Sequence, residues 1–319
     1  MLLSVNDLQI YYQVQSGFVK AVDGVSLDID QGEVVALVGE SGSGKTTLAL
    51  AVSNLLPSPS KVMNGSITFN GKTLSALGDE ELSQIRGKEI GMVFQEPASY
   101  LNPLIKVGDQ ISEALVIHEG LSKQEAASRT KAILEKVRIP DADRVYHYYP
   151  HQLSGGMAQR IGIGIAISCD PSLLIADEPT SNLDVTVQAQ ILHLLKELSR
   201  DLKLTILLIS HDLGLVSGMA DRVVIMYAGR IAEEANVHSI FKNPQHPYTK
   251  ALLASSRVSH KNEGITIGGS LPDLMNPPPG CRFAPRCPYA MSKCEKDPQE
   301  FKPEPKSRVF CWLYGGKDE

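Results

Sequence analysis

A glycine-rich stretch at residues 39–46 reads G-E-S-G-S-G-K-T and fits the pattern G-x-x-x-x-G-K-[ST]. Glycines at these positions let successive backbone N–H groups turn toward a polyphosphate, and a following helix adds the positive end of its dipole. Lys45 would neutralise the outer phosphates, and Thr46 would bind Mg²⁺. The stretch, here called the phosphate loop, predicts a nucleotide site made by Gly39, Glu40, Ser41, Gly42, Ser43, Gly44, Lys45, Thr46 and Thr47.

Two adjacent acids, Asp177 and Glu178, end the apolar stretch at residues 173–176. Buried carboxylates without partners cost on the order of several kcal/mol, so these acids are expected to face something cationic or polar. Asp177 is placed to hold Mg²⁺ through water, and Glu178 to accept a proton from the water that attacks the γ-phosphate. The alternative is a pair of acids at a helix N-terminus, where acids are also favoured.

A second anion-binding helix start is predicted at residues 153–160, which read L-S-G-G-M-A-Q-R. Ser154 can cap a long apolar helix, and two glycines open it. One nucleotide does not need two such elements, so the second would serve a nucleotide held mainly by another subunit. This predicts a head-to-tail dimer with composite sites and favours the catalytic interpretation of Asp177 and Glu178. On its own, the Ser-Gly-Gly sequence would be only a turn and a helix cap.

Five cysteines are too few for a disulfide scaffold, and four of them crowd the C-terminal end of the chain. Cys281, Cys287, Cys294 and Cys311 are spaced C-x5-C-x6-C-x16-C, and four thiolates suffice for tetrahedral zinc or a cubane iron–sulfur cluster. The spacing does not decide between the two, and free thiols or a disulfide are a third alternative. The expected role is structural. Cys169 has no partner nearby in sequence and is predicted to be a small core residue.

The elements that must position these groups follow from the apolar pattern. Buried strands are predicted at 34–38, 173–176 and 205–209, with helices at 46–56 and 187–202 between them. This alternation predicts an α/β fold with a parallel sheet, and the phosphate loop joins a strand to a helix.

Two segments depart from that alternation. Residues 97–150 show helical periodicity and are rich in Lys, Glu and Ala, which predicts an inserted helical subdomain. From Phe241 onward the chain is rich in proline, and residues 276–280 form an extended spacer rather than a helix or central strand. A separate C-terminal module is therefore expected.

The overall composition excludes several classes of protein. The chain has 319 residues, 43% of them hydrophobic, and its net charge is −5, which disfavours a DNA or RNA reader. The longest apolar runs fall far short of the roughly 20 residues that span a bilayer. Residues 1–7 carry no export signal, so a cytoplasmic location is expected.

Six ordered motifs together resemble an ATP-binding cassette (ABC) ATPase, the nucleotide-binding subunit of an ABC transporter. They are the phosphate loop (Walker A), Gln95 of the Q-loop, the signature segment at 153–159, Walker B at 173–177 with the adjoining Glu178, the D-loop at 181–184, and a switch histidine at His211. The resemblance implies a P-loop cassette with a RecA-like core, an N-terminal antiparallel β region and an inserted helical subdomain.

The resemblance also implies roles for residues that the composition does not reveal. Gln95 would sense Mg²⁺ and water at the hinge to the helical subdomain, and His211 would contact the γ-phosphate and the catalytic water. The implied catalytic set is Glu178, His211, Gln95 and Lys45, and the implied Mg²⁺ ligands are Thr46, Gln95 and Asp177.

Other implied roles concern the partner cassette and the base. Ser154 and Gly156, with Gly155 and Gln159 beside them, would reach the partner's γ-phosphate, and Asp184 would couple the two sites. An aromatic residue upstream of the phosphate loop stacks on adenine in this family, and both Tyr12 and Phe18 qualify.

The tail narrows the resemblance further. Residues 243–253 and 279–288 closely resemble the tail of oligopeptide and dipeptide-type ABC importer ATPases, and Ser99-Tyr100-Leu101-Asn102-Pro103 fits the same group. This implies uptake of peptides, or of oligosaccharides, driven by ATP hydrolysis and Mg²⁺. It also favours a four-iron four-sulfur cluster over zinc at the four cysteines.

The implied assembly contains a second cassette, as a homodimer or a paralogous heterodimer, two transmembrane permease subunits and, indirectly, an extracellular substrate-binding protein. The chain would then sit at the cytoplasmic face of the cell membrane, with no nucleic acid bound. The alternative is a non-transport ABC ATPase. The predicted domains are a catalytic core (1–94 and 170–240), a helical subdomain (95–169) and a C-terminal module (241–319).

Overall fold

The structure, a computed structural model, describes residues 1–257 and 268–315. Packing divides the chain into two compact units. The first comprises Met1–Asp30, Val34–Ser75 and the described residues from Ser210 onward, and the second comprises Gln31–Glu33 and Ala76–Ile209. The phosphate loop therefore lies in the first unit, whereas the acidic pair and the signature segment lie in the second.

Strands and helices alternate along most of the described chain. The strands are β1 (Leu3–Val14), β2 (Gly17–Ile29), β3 (Val34–Val38), β4 (Ser60–Phe69), β5 (Lys72–Thr73), β6 (Ile90–Val93), β7 (Leu173–Asp177), β8 (Thr205–Ser210), β9 (Arg222–Tyr227), β10 (Arg230–Asn236) and β11 (Arg308–Val309). The helices are α1 (Lys45–Val52), α2 (Asp79–Ile85), α3 (Pro97–Tyr100), α4 (Val107–Glu119), α5 (Lys123–Lys136), α6 (Ala142–Val145), α7 (Gly155–Ala166), α8 (Val185–Leu202), α9 (Leu213–Val216), α10 (Val237–Lys242) and α11 (Pro247–Arg257).

An antiparallel sheet in the order β2-β1-β4-β5 opens the first unit. Strand β1 buries Leu3 and Val5 and then Leu8 and Ile10, so its buried face changes from odd to even positions. The register with β2 shifts between Val5 and Leu8, where Asp7 has a φ of 41°. One extra residue at this bulge explains the change, because the side chains of a strand alternate with a period of two.

The other strands of the first unit carry the phosphate loop. Strand β3 is buried along its whole length and runs parallel to β9, as expected for a strand covered on both faces. Strand β10 pairs antiparallel with β9, and β11 extends that edge. The loop and helix α1 follow β3 directly, so the loop leaves from the carboxyl end of a buried strand.

The C-terminal region beyond Gly268 contains short 3-10 turns and the two-residue strand β11 among its described residues. Ionic contacts attach it to the rest of the first unit: Arg308 pairs with Glu234 on β10, and Arg282 pairs with Asp23 on β2. Side-chain contacts of this kind compensate for the low content of regular structure.

The second unit combines a parallel sheet with a set of helices. Strand β7 lies between β6 and β8, parallel to both. Helix α5 begins with a capping box between Ser122 and Glu125, and α4 ends at Gly120 in the left-handed conformation. Helix α7 packs on α4, α5 and α8.

The predicted α/β architecture and the helices between residues 97 and 150 agree with this fold. Helix α1 ends at Val52 rather than at the predicted Leu56, because Asn54 turns the chain with a φ of 52°. The predicted spacer at 276–280 lies outside any helix or strand. Within the described ranges, no helix is both long enough and apolar enough to cross a membrane.

Candidate nucleotide-binding site

The phosphate loop closes around the side chain of Lys45. The Lys45 ammonium donates to the carbonyl oxygens of Gly39 (2.8 Å) and Glu40 (2.9 Å) and lies 3.4 Å from Ser43 Oγ. The Ser43 N–H donates to the Glu40 carbonyl at 3.1 Å, which tightens the turn. The lysine is 4% exposed, so its charge is concentrated inside the loop, where an anion would be attracted.

Two glycines of the loop are required by close backbone contacts. A Cβ at Gly39 would lie 2.1 Å from the Met226 carbonyl oxygen, and a Cβ at Gly44 would lie 2.1 Å from the Ala21 carbonyl oxygen. Gly44 also has a φ of 99°, which L side chains rarely adopt. The residue types of the loop therefore fit both its path and a ligand that approaches the backbone.

The start of helix α1 has an aromatic neighbour. The Tyr12 hydroxyl lies 3.3 Å from the Thr47 hydroxyl, whereas the Phe18 ring lies 6.4 Å from that of Tyr11 and has the Lys61 ammonium 5.9 Å away. Of the two aromatic candidates, Tyr12 thus contacts a residue that directly follows the phosphate loop.

Sequence reasoning missed two residues that hold the loop from the C-terminal region. The Glu40 N–H donates to the Tyr248 hydroxyl at 2.9 Å, and Arg286 forms a two-point ion pair with the Glu40 carboxylate. These partners lie 208 and 246 residues away along the chain, and no local pattern marks them.

In the second unit, Glu178 lies at the centre of a hydrogen-bonded set. Gln95 Nε2 donates to Glu178 Oε2 at 3.1 Å, and the Ser181 hydroxyl donates to the Gln95 carbonyl at 3.0 Å. Asn182 Nδ2 lies 3.4 Å from Glu96 Oε1. The Q-loop and the D-loop are thereby bonded to each other beside the proposed base, while Asp177 is buried at the end of β7.

The signature segment and the D-loop line one open groove within the second unit. Ser154 caps α7 by accepting from the Met157 N–H at 3.3 Å. Asp184 caps α8 by accepting from the N–H groups of Thr186 (3.1 Å) and Val187 (3.0 Å). Ser154, Gly155, Gly156 and Asp184 all line the groove. The start of α7 faces it without a charged cap and suits an anion, whereas the Asp184 carboxylate already occupies the start of α8.

Gln159, which is also part of the signature segment, does not line this groove. Its side chain is 1% exposed inside helix α7, and its Nε2 has no hydrogen-bond partner among the described residues. Residues on different faces of a helix have different surroundings, because only residues three or four apart share a face. Gln159 can therefore face the core although the first residues of α7 line the groove. In this conformation Gln159 is not available to a nucleotide.

The structure thus groups the predicted residues in two sets. Thr46, Thr47 and Lys45 belong to the first unit, as does His211, which is exposed just after β8. Gln95, Asp177, Glu178 and the groove residues belong to the second unit. The oxygen donors proposed for Mg²⁺ are of the type that this ion prefers, so the residues present fit it chemically.

The four C-terminal cysteines line one small cavity, with Phe283, Tyr289 and Trp312 among its walls. Burial raises the pKa of the Cys281 and Cys287 thiols and raises the pKa of Cys311 to about 11.

None of the described His, Cys, Asp and Glu side chains form a group of three or more that could hold a metal ion. This finding does not support the predicted metal-binding module. The cysteines are free thiols, and Cys169 is buried as predicted.

Comparisons with known proteins identify the class. The family described as "ABC transporter" matches residues 22–181, and "Oligopeptide/dipeptide transporter, C-terminal region" matches residues 232–294. The ATP-binding cassette MJ0796, solved as a dimer in a post-hydrolysis state with ADP and Pi, aligns with a TM-score of 0.67 and 28% identity, covering 74% of this chain and 99% of that one. The cbiO1 protein of Clostridium perfringens aligns with a TM-score of 0.66 and 28% identity, covering 82% and 95%.

The chain therefore belongs to the ABC transporter family and is an ABC-type ATPase. Among relatives, the oligopeptide transport ATP-binding protein AppD of Bacillus subtilis is 47% identical over 98% of this chain and 97% of its own length. The dipeptide transport ATP-binding protein DppD of the same organism is 47% identical over 100% and 96%, and OppD of Salmonella typhimurium is 45% identical over 93% and 89%.

Proposed function

We propose that this chain is the ATP-hydrolysing subunit of an ABC importer for dipeptides or oligopeptides. The observation that carries the proposal is the joint presence of the phosphate loop and of the C-terminal region typical of oligopeptide and dipeptide transporters, in relatives that match nearly the whole chain. ATP is the substrate, and the energy of its hydrolysis drives uptake.

In the proposed reaction, Lys45 neutralises the outer phosphates while Glu178 accepts a proton from the attacking water. Gln95, Thr46 and Asp177 would hold Mg²⁺, which would offset the negative charge of the phosphates. The 3.1 Å bond from Gln95 to Glu178 supports a common role for these two side chains. His211 would contact the γ-phosphate.

A second cassette completes the site in this proposal. The groove lined by Ser154, Gly155, Gly156 and Asp184 contains no phosphate loop of its own, although its helix start suits an anion. A head-to-tail dimer, of two copies or of this chain with a paralogue, would supply each groove with the nucleotide of the other chain. Tyr12 is the proposed adenine-stacking residue, since it reaches Thr47.

Transmembrane permease subunits are the proposed docking partners, at the cytoplasmic face of the cell membrane, and a substrate-binding protein would deliver the peptide to them. Large apolar side chains are exposed on the helical part of the second unit, with Leu104 84% and Ile117 66% exposed. These exposed side chains are the proposed contacts for the permease subunits. The proposed division into core (1–94, 170–240), helical subdomain (95–169) and C-terminal module (241–319) assigns this surface to the helical part.

For the C-terminal module we propose a structural four-iron four-sulfur cluster at the four cysteines. The cavity that all four cysteines line supports it, because such a cluster is held by four cysteine thiolates.

Anaerobic purification and metal analysis test the cluster. A brown protein with about four iron and four sulfide ions per chain is expected, in line with four-cysteine ligation. A colourless protein with stoichiometric zinc, or one without metal, would overturn it.

Reconstitution tests the importer. The chain should copurify from detergent extracts with transmembrane subunits, and vesicles that contain the complex should take up peptides only with ATP. If no transmembrane subunit copurifies and the ATPase activity is indifferent to peptide and binding protein, the chain is a non-transport ABC ATPase.

A further inference from the structure

Glu40 of the phosphate loop is held on every polar side by partners within the first unit. Its N–H donates to the Tyr248 hydroxyl at 2.9 Å, and its carbonyl accepts from the Lys45 ammonium at 2.9 Å. Its carboxylate receives Arg286 Nη1 at 2.9 Å and Nη2 at 3.2 Å. Glu40 is therefore the residue that joins the phosphate-binding lysine to the C-terminal region.

Arg286 is itself held in place by contacts other than the one with Glu40. Its Nε donates to the Gly268 carbonyl at 2.8 Å, its Nη1 lies 3.1 Å from the Tyr227 hydroxyl, and its guanidinium carbon lies 5.7 Å from the centre of the Tyr227 ring. The side chain is 8% exposed. A planar guanidinium held in this way presents a rigid two-point donor to a carboxylate.

An aromatic cluster supports both contacts to Glu40. The Tyr227 and Tyr248 rings lie 4.6 Å apart, and the Phe283 ring lies 5.2 Å from Tyr227 and 5.4 Å from Tyr248. Tyr248 and Phe283 are buried, and Phe283 lies between two of the cysteines in sequence. The partners of Glu40 are thus parts of one packed cluster.

We propose that Arg286 is a positioning residue for nucleotide binding: through Glu40 it keeps the phosphate loop and the Lys45 ammonium in the geometry that receives the phosphates. The inference rests on the proposed function of the loop as the ATP site. Arg286 ends the 3-10 turn Ala284–Arg286, so the position of this turn sets where the guanidinium meets Glu40.

An ion pair that only stabilised the fold would affect ATP binding differently. Loss of Arg308, which pairs with Glu234 and Glu300 in the same C-terminal region, removes a charge without touching the phosphate loop. If Arg286 only stabilised the fold, Arg286→Ala and Arg308→Ala would affect ATP binding alike. A positioning role instead predicts a specific loss of affinity that disappears when Glu40 is already neutral.

The test is a titration of the full-length protein with MgATP, combined with steady-state ATPase kinetics. Arg286→Ala should weaken MgATP binding roughly tenfold, because it removes a charge-assisted bidentate pair. KM should rise, while kcat at saturating ATP should change less than about twofold. Arg308→Ala should leave the affinity unchanged. Glu40→Gln combined with Arg286→Ala should bind no more weakly than Arg286→Ala alone, because contacting residues are not additive.

Unchanged affinity in Arg286→Ala, an equal loss in Arg308→Ala, or additive losses in the double variant would overturn the inference. If Arg286→Ala does not fold, the MgATP affinity of Glu40→Gln is the test. Unchanged affinity in that variant overturns the inference. Lys45→Ala separates this result from the proposed function: an ATP site at the loop requires that Lys45→Ala loses binding, whatever the Arg286 variant does.

Discussion

Glu178 adopts an unusual backbone conformation for a residue with a side chain. Its φ is 44°, in the left-handed region, and its N–H donates to the Ile209 carbonyl at 3.1 Å. Such a conformation costs on the order of 1–3 kcal/mol and persists where surrounding contacts impose it, often at functional sites. Here it turns the carboxylate toward Gln95 rather than along the strand.

Replacing Glu178 with glutamine is expected to stop hydrolysis and spare binding. The amide keeps the shape of the side chain but cannot accept the proton of the attacking water, so kcat should fall roughly a hundredfold or more. MgATP affinity, measured by titration, should stay within about threefold, a change worth less than 1 kcal/mol.

Glu197→Gln is the control for this change. Glu197 lies in the same unit on helix α8, where it pairs with Arg138, so the same substitution there should leave turnover unaltered. If Glu178→Gln hydrolysed ATP at the normal rate, another group would have to act as the base.

At the scale of single residues, the sequence predicts those site residues whose contacts lie close to them along the chain. The glycines of the phosphate loop were predicted from spacing because the loop, its strand and its helix are consecutive. Asp184 shows the limit: the resemblance implies that it couples the two sites, but its carboxylate also serves as the N-cap of α8, which was not predicted. Arg286 and Tyr248 could not be predicted, because the tertiary fold alone brings them to Glu40.

Helices α7 and α8 approach each other closely where the signature segment begins. A Cβ at Gly156 would lie 2.8 Å from Val187 Cγ1, and a Cβ at Gly155 would lie 3.3 Å from Leu183 Cδ2. Val187 is β-branched and has little rotamer freedom in a helix, so it cannot move aside cheaply. The glycines therefore set the distance between the two helix starts that line the groove.

Gly156→Ala is expected to displace the start of α7 from the D-loop. Because the groove is proposed to bind the nucleotide of the partner chain, ATPase activity should fall roughly tenfold or more, while a single chain keeps its MgATP affinity. Activity and binding measured on the same preparation would show this split.

Gly164→Ala on the same helix is the comparison, since the added Cβ would meet Ile133 Cγ2 at 3.3 Å, outside the groove. Equal losses of activity in the two variants would mean that Gly156 matters for packing in α7 and not for the groove.

Helix α4 contains another glycine whose role is packing alone. A Cβ at Gly108 would lie 2.3 Å from the ring of Tyr146, and the Gly108 N–H donates to the Tyr146 carbonyl at 3.0 Å. Gly108→Ala should lower the free energy of unfolding by about 1–3 kcal/mol, as overpacking does, in thermal or urea unfolding. Gly218→Ala, where the added Cβ meets no atom within 4 Å, should not destabilise the protein.

The elements themselves were largely predictable, and their ends were not. Strand β3 occupies the predicted residues 34–38, because five consecutive apolar residues before a glycine leave little alternative. Helix α8 begins at Val185 rather than at 187, since the cap by Asp184 was not predicted. The bulge in β1 and the pairing of β11 with β10 depend on contacts between distant segments.

At the scale of the first unit, Asp23 links three parts of the chain. It lies on β2, accepts from the Tyr11 hydroxyl at 2.5 Å, and pairs with Arg230 on β10 and with Arg282 beside Cys281. The N-terminal sheet, strand β10 of the other sheet and the C-terminal region therefore meet at one carboxylate. No pattern in the sequence indicates this, because the partners are 12, 207 and 259 residues away.

The charge of Asp23 makes the stability of this unit depend on pH. Burial pushes the pKa of Asp23 upward, but the Tyr11 hydrogen bond and the charges of Arg282 and Arg230 outweigh it, so the pKa lies below its ordinary value. A carboxyl with a depressed pKa in the folded state stabilises it above the unfolded pKa, and this contribution is lost as the pH falls through the folded pKa. The loss is therefore expected below about pH 4, the ordinary range of an aspartate.

Asp23→Asn should lower the free energy of unfolding by about 3–5 kcal/mol at pH 7, because removing one member of a buried pair leaves guanidinium charges uncompensated. The difference from the unsubstituted protein should start to narrow below about pH 4, where the carboxyl of the unfolded chain becomes protonated, and should vanish only below the depressed folded-state pKa, where the native carboxyl is protonated as well. The chain has one tryptophan, Trp312, so urea unfolding followed by its fluorescence reports on the C-terminal region.

Asp30→Asn, which removes an exposed partner of the N-terminal ammonium, is the control and should cost at most about 1 kcal/mol at either pH. If the effect of Asp23→Asn stayed constant as the pH fell through the folded-state pKa of Asp23, the carboxylate's charge would not be what joins the C-terminal region to β2, and the hydrogen bond from Tyr11 would have to account for the link.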